Sequence, residues 1–350
     1  MNQIKQLLTF SRKSDFCVCR QKNKWAYENR IRKVTDAKAL RMGSAGHEAT
    51  DVLAKTNDLE KAVEAIRDKY RHTPDAYDEY DWRIEEETMV RLVCGYHWMW
   101  GESTIKYIAS EYAFRLPLVN PDTGARSTNF DFAGKIDAIV SLEDERLAVL
   151  ERKFLSEDHG PDSDLQRRLR IDHQISHYMY AAREDGHPVD TALYDVIRKP
   201  SIKPSPVPVL DSKGLKIVLD LHGDRVMTNA HKPRQTASTK DGWTLRTRLM
   251  TVEEWGEKLN NDIAERPQWY FNRIEVPRLD DEIAEACHEL WQVQKTLRET
   301  QRTGRWYRTV NRNTCNFCSY FELCSTKFDP QTSPLPEGFI QVSDVHPELS

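Results

Sequence analysis

Three charged side chains stand where a β-sheet should hold apolar ones. The segment DFAGKIDAIVSLEDERLAVLERKF (131–154) reads as two strands joined by a charged turn. Asp137 lies in the first strand, and Glu151 and Lys153 end the second. A charge left unpaired in apolar surroundings costs several kcal/mol, so these residues either face solvent or do work. Glu151 and Lys153 are two apart and share one face of their strand, and a hairpin would bring all three heads together. Two carboxylates suit a hard cation such as Mg²⁺ or Mn²⁺, which takes oxygen ligands and keeps several waters. Such an ion lowers the pKa of its water and polarises a phosphate, while a lysine steadies the developing negative charge. On three residues alone, an ion-paired strand edge stays open as the alternative.

Neighbouring segments add further polar groups. Gln174 and Tyr178 are four apart and share one face of a predicted helix, where an amide and a phenol could meet a nucleic-acid backbone. GSAGHEATDVL (43–53) puts His47 near the start of another helix. An imidazole there either supports the helix or joins a metal site. Glu111 is placed either as a further carboxylate or as a solvent-facing residue. Arg167, Arg168 and Arg170, and Arg302, Arg305, Arg308 and Arg312 around Trp306 and Tyr307, are either a nucleic-acid path or a solvated surface.

These residues need a scaffold. Helical periodicity covers 44–70 and 85–101, strand-forming residues fill 105–119, and the strand pair above follows the turn signal NPDTG. A helix is expected over 164–185, ended by Gly186, and a strand over 191–199. The order helix, three strands, helix, strand implies a mixed α/β core. The prolines of 200–214 exclude a central strand, and 200–240 reads as an irregular excursion. Helices are expected over 250–267 and 279–300, and an extended tail closes the chain. No internal repeat is expected.

Composition sets the limits. The chain has 350 residues and a net charge of −4, which excludes an overall basic nucleic-acid binder but not a local basic groove. No apolar run is long enough for a transmembrane helix, and the N-terminal residues lack the pattern of a signal peptide. Seven cysteines without a secretion signal point to metal or redox chemistry. The expectation is therefore a cytoplasmic protein with no membrane partner. CNFCSYFELC spaces Cys315, Cys318 and Cys324 so that thiolates can grip one ion or cluster. A fourth ligand must come from elsewhere, and Cys17 and Cys19 are available. Cys94 and Cys287 read as small core residues.

The ordered set Gly43-Ser44-x-x-His47, Gly134-x-x-Asp137, Glu151-x-Lys153 and Gln174-x-x-x-Tyr178 resembles the RecB-like branch of the PD-(D/E)XK nuclease superfamily. AddB-type, CRISPR-associated and phage-encoded nucleases are similar. The resemblance implies a restriction-endonuclease-like core with a mixed central β-sheet flanked by helices. It implies that His47, Asp137 and Glu151 bind Mg²⁺ or Mn²⁺, that Lys153 is catalytic with Asp137 and Glu151, and that Gln174 and Tyr178 lie along DNA. Iron–sulfur members of this branch place one Cys before the His motif and C-x₂-C-x₅-C after the core. By that likeness a [4Fe–4S] cluster would be held by Cys19, Cys315, Cys318 and Cys324, joining both ends of the chain. Zinc and free cysteines remain open.

The resulting expectation is one nuclease domain over 1–328. It comprises a helical part (1–104), the core (105–199), an insertion with helices (200–300) and the cysteine segment (301–328), followed by a tail (329–350). The activity implied is DNA hydrolysis at ends or on single strands, in recombination, repair or phage DNA metabolism of a bacterial or phage system. No P-loop is present, so a helicase or recombination motor would be a partner protein. The alternative is a catalytically silent nucleic-acid-binding subunit stapled by zinc or iron–sulfur.

Overall fold

The computed structural model describes residues 5–34 and 38–349, and six of its strands join in one mixed sheet. In chain order, β1 (Gln6–Leu8) leads into α1 (Phe10–Val18), α2 (Arg20–Asn23) and a π-helical turn, then β2 (Ile31–Lys33). Three helices follow: α3 (Lys38–Thr56), α4 (Leu59–Tyr70) and α5 (Glu79–Trp100). The heart of the sheet is β3 (Lys106–Val119), β4 (Arg126–Ser141) and β5 (Leu147–Leu155), followed by α6 (Asp164–Leu169), α7 (His173–Glu184) and β6 (Thr191–Arg198). Two-residue strands β7 (Val207–Pro208), β8 (Val218–Leu219), β9 (Thr244–Leu245) and β10 (Thr247–Arg248) form an arm. Then come α8 (Val252–Glu265), α9 (Pro267–Tyr270), β11 (Phe271–Pro277) and α10 (Asp280–Thr303). Short helices α11 (Arg312–Cys315) and α12 (Phe321–Ser325) precede β12 (Phe339–Gln341).

The sheet runs β1-β4-β5-β6-β11, with β3 along the other edge of β4. β4 is long enough to serve two partners on one edge: β1 pairs in parallel with Phe130–Phe132, and β5 pairs antiparallel with Ala138–Ser141. Residues 133–137 lie between these ladders. β5 and β6 are parallel and bring Glu151 beside Tyr194. Helices α1, α7 and α10 cover one face, with Phe16, Ile175, Met179 and Leu290 meeting Ile139, Val149 and Val196. Helices α3, α4, α5 and α8 bury Ala49, Ile66, Met89, Trp255 and Leu259 on the other side. This is the mixed α/β architecture expected from the pattern of elements.

Several boundaries differ from the sequence reading. The helix expected over 44–70 is two, because Asn57 takes a positive φ and Asp58 caps α4 by accepting from the Lys61 N–H. The helix expected over 164–185 is also two: the Asp172 carboxylate accepts from the Gln174 N–H at 2.8 Å and starts α7 afresh. Strands β1 and β11 join the sheet from outside 105–199, too short or too mixed to stand out by periodicity. Within the tail, β12 pairs with β2. The arm is built from successive turns. VLDSKGLKI and VLDLHGDRV (209–226) share V-L-D-x₂-G, and MTNAHKPRQ and TASTKDGWT (227–244) follow without that pattern. Asp211, Asp220, Thr228 and Ser238 each begin a turn by accepting a backbone N–H.

Charge is also buried behind the sheet. Asp195, fully buried, accepts from Tyr96 Oη at 2.5 Å and stands 3.5 Å from Arg273 Nε and 3.9 Å from Arg152 Nε. Arg152 in turn donates to Tyr107 Oη at 2.7 Å. These contacts tie β3, β5, β6, β11 and α5 together. Asp195→Ala leaves two guanidinium groups without their counter-charge, and breaking a buried pair from one side costs roughly 3–5 kcal/mol. Urea denaturation should show that loss, with Asp195→Asn losing less.

Candidate active site

Where β4 leaves β5, the ladder gives way to side chains. The last paired residues are Ala138 and Leu150. One step beyond, the Arg152 N–H has no strand partner and donates to Asp137 Oδ2 at 2.6 Å. Asp137 Oδ1 faces His47 Nδ1 at 3.4 Å. Glu151, buried, binds the Lys153 ammonium through Oε1, and Gln174 Nε2 donates to the same oxygen at 2.8 Å. The Gln174 carbonyl accepts from Lys153 Nζ at 3.2 Å. Asp137, Glu151, Lys153, His47 and Gln174 therefore converge, and Gln174, which the sequence reading set along DNA with Tyr178, has its amide on Glu151 and Lys153.

Two close approaches make this possible. A Cβ on Gly46 would lie 2.2 Å from the Phe154 ring, so only glycine lets α3 rest on β5 and deliver the adjacent His47. A Cβ on Gly134 would meet Phe114 at 2.7 Å and Tyr178 at 3.3 Å. Tyr178 itself is 7% exposed and packs edge-on to Phe114, one turn behind Gln174. Its place is thus beneath the site, against the sheet. Glu111, at the β3 position between those facing Ala138 and Ile136, pairs with Lys135 at 2.6 Å.

The electrostatics are uneven. Burial pushes the Glu151 carboxyl up to about 7, the Asp137 charge adds to this, and Lys153 opposes it. Burial acts against the Lys153 charge, but Glu151 more than reverses this and holds its pKa above the ordinary lysine value. Burial also opposes ionisation of Asp137, yet the hydrogen bond and charge of His47 and the Arg152 N–H bring it below the usual range. Glu151 Oε2 is buried and has no hydrogen-bond partner among the described residues. An orphaned carboxylate oxygen next to a second carboxylate fits a hard cation. Among the described residues, no group of three or more His, Cys, Asp and Glu side chains is already arranged around a metal position.

Arg278, at the end of β11, is a positioning group that sequence reasoning missed. It is 7% exposed and donates to the carbonyls of Leu169 and Asp172 and to Ser176 Oγ. It thereby fixes the break between α6 and α7 that presents Gln174. A lone Arg after a proline gives no signal of this in the sequence. Of the basic residues noted there, Arg168 is paired with Glu157 and Arg302 with Glu299.

The cysteine segment packs on the N-terminal helices. The Thr309 N–H donates to Cys19 Sγ at 3.4 Å, and the Thr309 carbonyl is 3.9 Å from Cys315 Sγ. Trp25 Nε1 donates to Cys324 Sγ at 3.4 Å. Burial raises the Cys318 thiol, and Cys324 and Cys19 are near enough to raise it further. Cys17 is exposed, while Cys94 and Cys287 are half-buried away from this cluster.

The family model of the PD-(D/E)XK nuclease superfamily matches residues 7–325. The chain belongs to this superfamily of phosphodiester-hydrolysing nucleases, whose members usually use Mg²⁺ or Mn²⁺. Among solved structures, a protein of Eubacterium rectale provisionally described as an exonuclease is 11% identical, with a TM-score of 0.43 over 94% of this chain and 91% of its own. The protein SSO0001 is 11% identical, with a TM-score of 0.35 over 93% and 90%. No curated protein matches the chain significantly. No helix among the described residues is long and apolar enough to cross a membrane.

Gln174→Ala removes the amide that bridges Glu151 and Lys153. Loss of such a supporting group typically costs 10–100-fold in activity or metal affinity. The expected result is that loss with an unchanged melting temperature, measured by initial rates alongside thermal unfolding.

Proposed function

We propose that this chain is a metal-dependent deoxyribonuclease acting at free ends or on single strands. The observation that carries the reading is the buried, unpartnered Glu151 Oε2 beside Asp137 and Lys153, at the point where β4 and β5 part. Asp137 and Glu151, with His47 at the rim, would hold Mg²⁺ or Mn²⁺. Such an ion activates water and offsets charge on the phosphate. Burial raises the Glu151 pKa, and an ion held at Oε2 would favour its charged form. Lys153 keeps its proton and stabilises the negative charge that builds on the phosphate oxygens. Gln174 bridges Lys153 and Glu151 and fixes their geometry, and Tyr178 supports Gln174 from below. Glu111 supplies a further carboxylate on the same stretch of sheet.

We further propose that Cys19, Cys315, Cys318 and Cys324 hold a [4Fe–4S] cluster. Support comes from the shared Thr309 contacts of Cys19 and Cys315 and from the packing of Cys318 and Cys324 on one apolar cluster. Its role is structural: it joins segments far apart in sequence, and binding energy at such a site is folding energy.

Two experiments test these readings. Glu151→Gln and Asp137→Asn should each abolish cleavage of end-labelled single-stranded DNA in Mn²⁺ while leaving DNA binding intact. A wild-type protein that binds but never cuts would instead be the silent binding subunit. For the cluster, Cys318→Ala purified without oxygen should lose iron and melt at lower temperature, whereas Cys17→Ala should keep both. Full iron and an unchanged melting point in Cys318→Ala would remove the cluster from this site, and stoichiometric zinc in wild type would replace it.

A further inference from the structure

Little of the arm is packed into the core. Between 200 and 250 only Val218 and Met250 are buried. What orders the arm is a repeated hydrogen-bond pattern. Asp211 and Asp220 each accept two backbone N–H groups, from Lys213 and Leu215 and from His222 and Asp224. Ile217 N–H to the Val209 carbonyl and Val226 N–H to the Val218 carbonyl close the first two turns on themselves, and Arg234 N–H to the Val226 carbonyl closes the third. Side chains cross between turns. Arg225 of the second turn pairs with Asp211 of the first at 2.6 Å, and Arg234 of the third stacks on Trp243 of the fourth at 4.5 Å.

The arm is rich in cations. Residues 199–250 hold ten Lys and Arg, four Asp and no Glu, in a chain whose net charge is −4. Two of the four carboxylates, Asp211 and Asp220, are turned toward backbone N–H groups. Lys213, Lys216, Lys232 and Lys240 are exposed and make no ion pair among the described residues.

The arm also starts at the catalytic edge of the sheet. It leaves β6 where the Lys199 N–H donates to the Leu155 carbonyl at 2.7 Å, two residues past Lys153 on β5. The Lys199 ammonium donates to the Ala39 carbonyl in α3, the helix that carries His47. Unpaired cations on an arm joined to that edge match one kind of partner, a polyanion that also reaches the site.

We propose that this arm is a docking surface for the phosphodiester backbone of duplex DNA flanking the cleavage site. It carries no base readout: its contacts are lysine to phosphate, and their strength comes from counter-ion release. The arm thus sets how long a substrate must be to bind well, while the chemistry stays with the carboxylates. This rests on the nuclease reading for the identity of the polymer but not for its test.

The test compares the full-length protein with a Lys213→Gln, Lys216→Gln, Lys232→Gln, Lys240→Gln variant. All four positions are exposed, so the melting temperature should not move. Binding is read by anisotropy in EDTA, so that nothing is cut, using a labelled duplex of about 40 base pairs and a single strand of about 10 nucleotides, between about 50 and 200 mM salt. Each lost phosphate contact lowers the salt slope by about 0.9, so the variant's slope on the duplex should fall by about 3 and its affinity at low salt at least tenfold. Binding of the short strand, and its cleavage in Mn²⁺, should be unchanged. A second variant with 209–244 replaced by a Gly-Ser linker should reproduce the loss. Unchanged duplex affinity and slope in both variants would overturn the proposal, as would equal losses on both substrates. Normal DNA binding with lost retention on immobilised polyglutamate would assign the arm to an acidic polypeptide and overturn it likewise. A wild type that cuts no DNA would defeat the nuclease reading while leaving this binding comparison intact.

Discussion

The site depends on one strand having two partners on the same edge. β4 gives part of that edge to β1 and part to β5, and between them a stretch of backbone is left without a ladder. Backbone N–H groups cannot stay unpaired when buried, so the Arg152 N–H takes the Asp137 carboxylate instead. That single bond fixes the first carboxylate relative to the strand that bears Glu151 and Lys153. Everything else in the site is arranged around it: His47 from α3 on one side, Gln174 from α7 on the other.

Arg152 connects this edge to the rest of the fold. Its backbone holds Asp137, while its side chain is buried on the opposite face near Asp195 and Tyr107. Alternation along a strand forces this division, since neighbours point to opposite faces. The carboxylate–lysine pair therefore lies against a backbone anchored from behind by a desolvated charge network. Such a network adds little net stability but penalises any slip in register, and a slip of one residue would turn Glu151 away from Asp137.

Much of this was legible in sequence. Asp137, Glu151 and Lys153 announced themselves because charge in a strand is costly, and Gln174 followed from helical spacing. The central strands and the principal helices were visible in their periodicity. What was hidden has physical causes. β1 is three residues long, below any periodic signal. The break between α6 and α7 is set by a local cap at Asp172 and by Arg278, which lies more than a hundred residues away in sequence. Tyr178 was placed on the helix face of Gln174, correctly by spacing, but spacing cannot tell which residue of a face stands over the sheet and which at its rim. The turns of the arm gave no periodic signal because each constrains only a few positions and lets Asp, Thr and Ser exchange.

The pairing of β12 with β2 has a temporal consequence. Gln341 lies beside Ile31, and the Val342 N–H reaches the Arg30 carbonyl. Roughly three hundred residues must be made before β2 meets its partner, which at about 5–20 residues per second is about 15–60 s of translation. Tyr320 and Phe339 close over Ile31 at the same late stage. The apolar surface of Trp25, Tyr27 and Ile31 is thus completed late, by residues made long after it, in the manner of a clasp closed at the end.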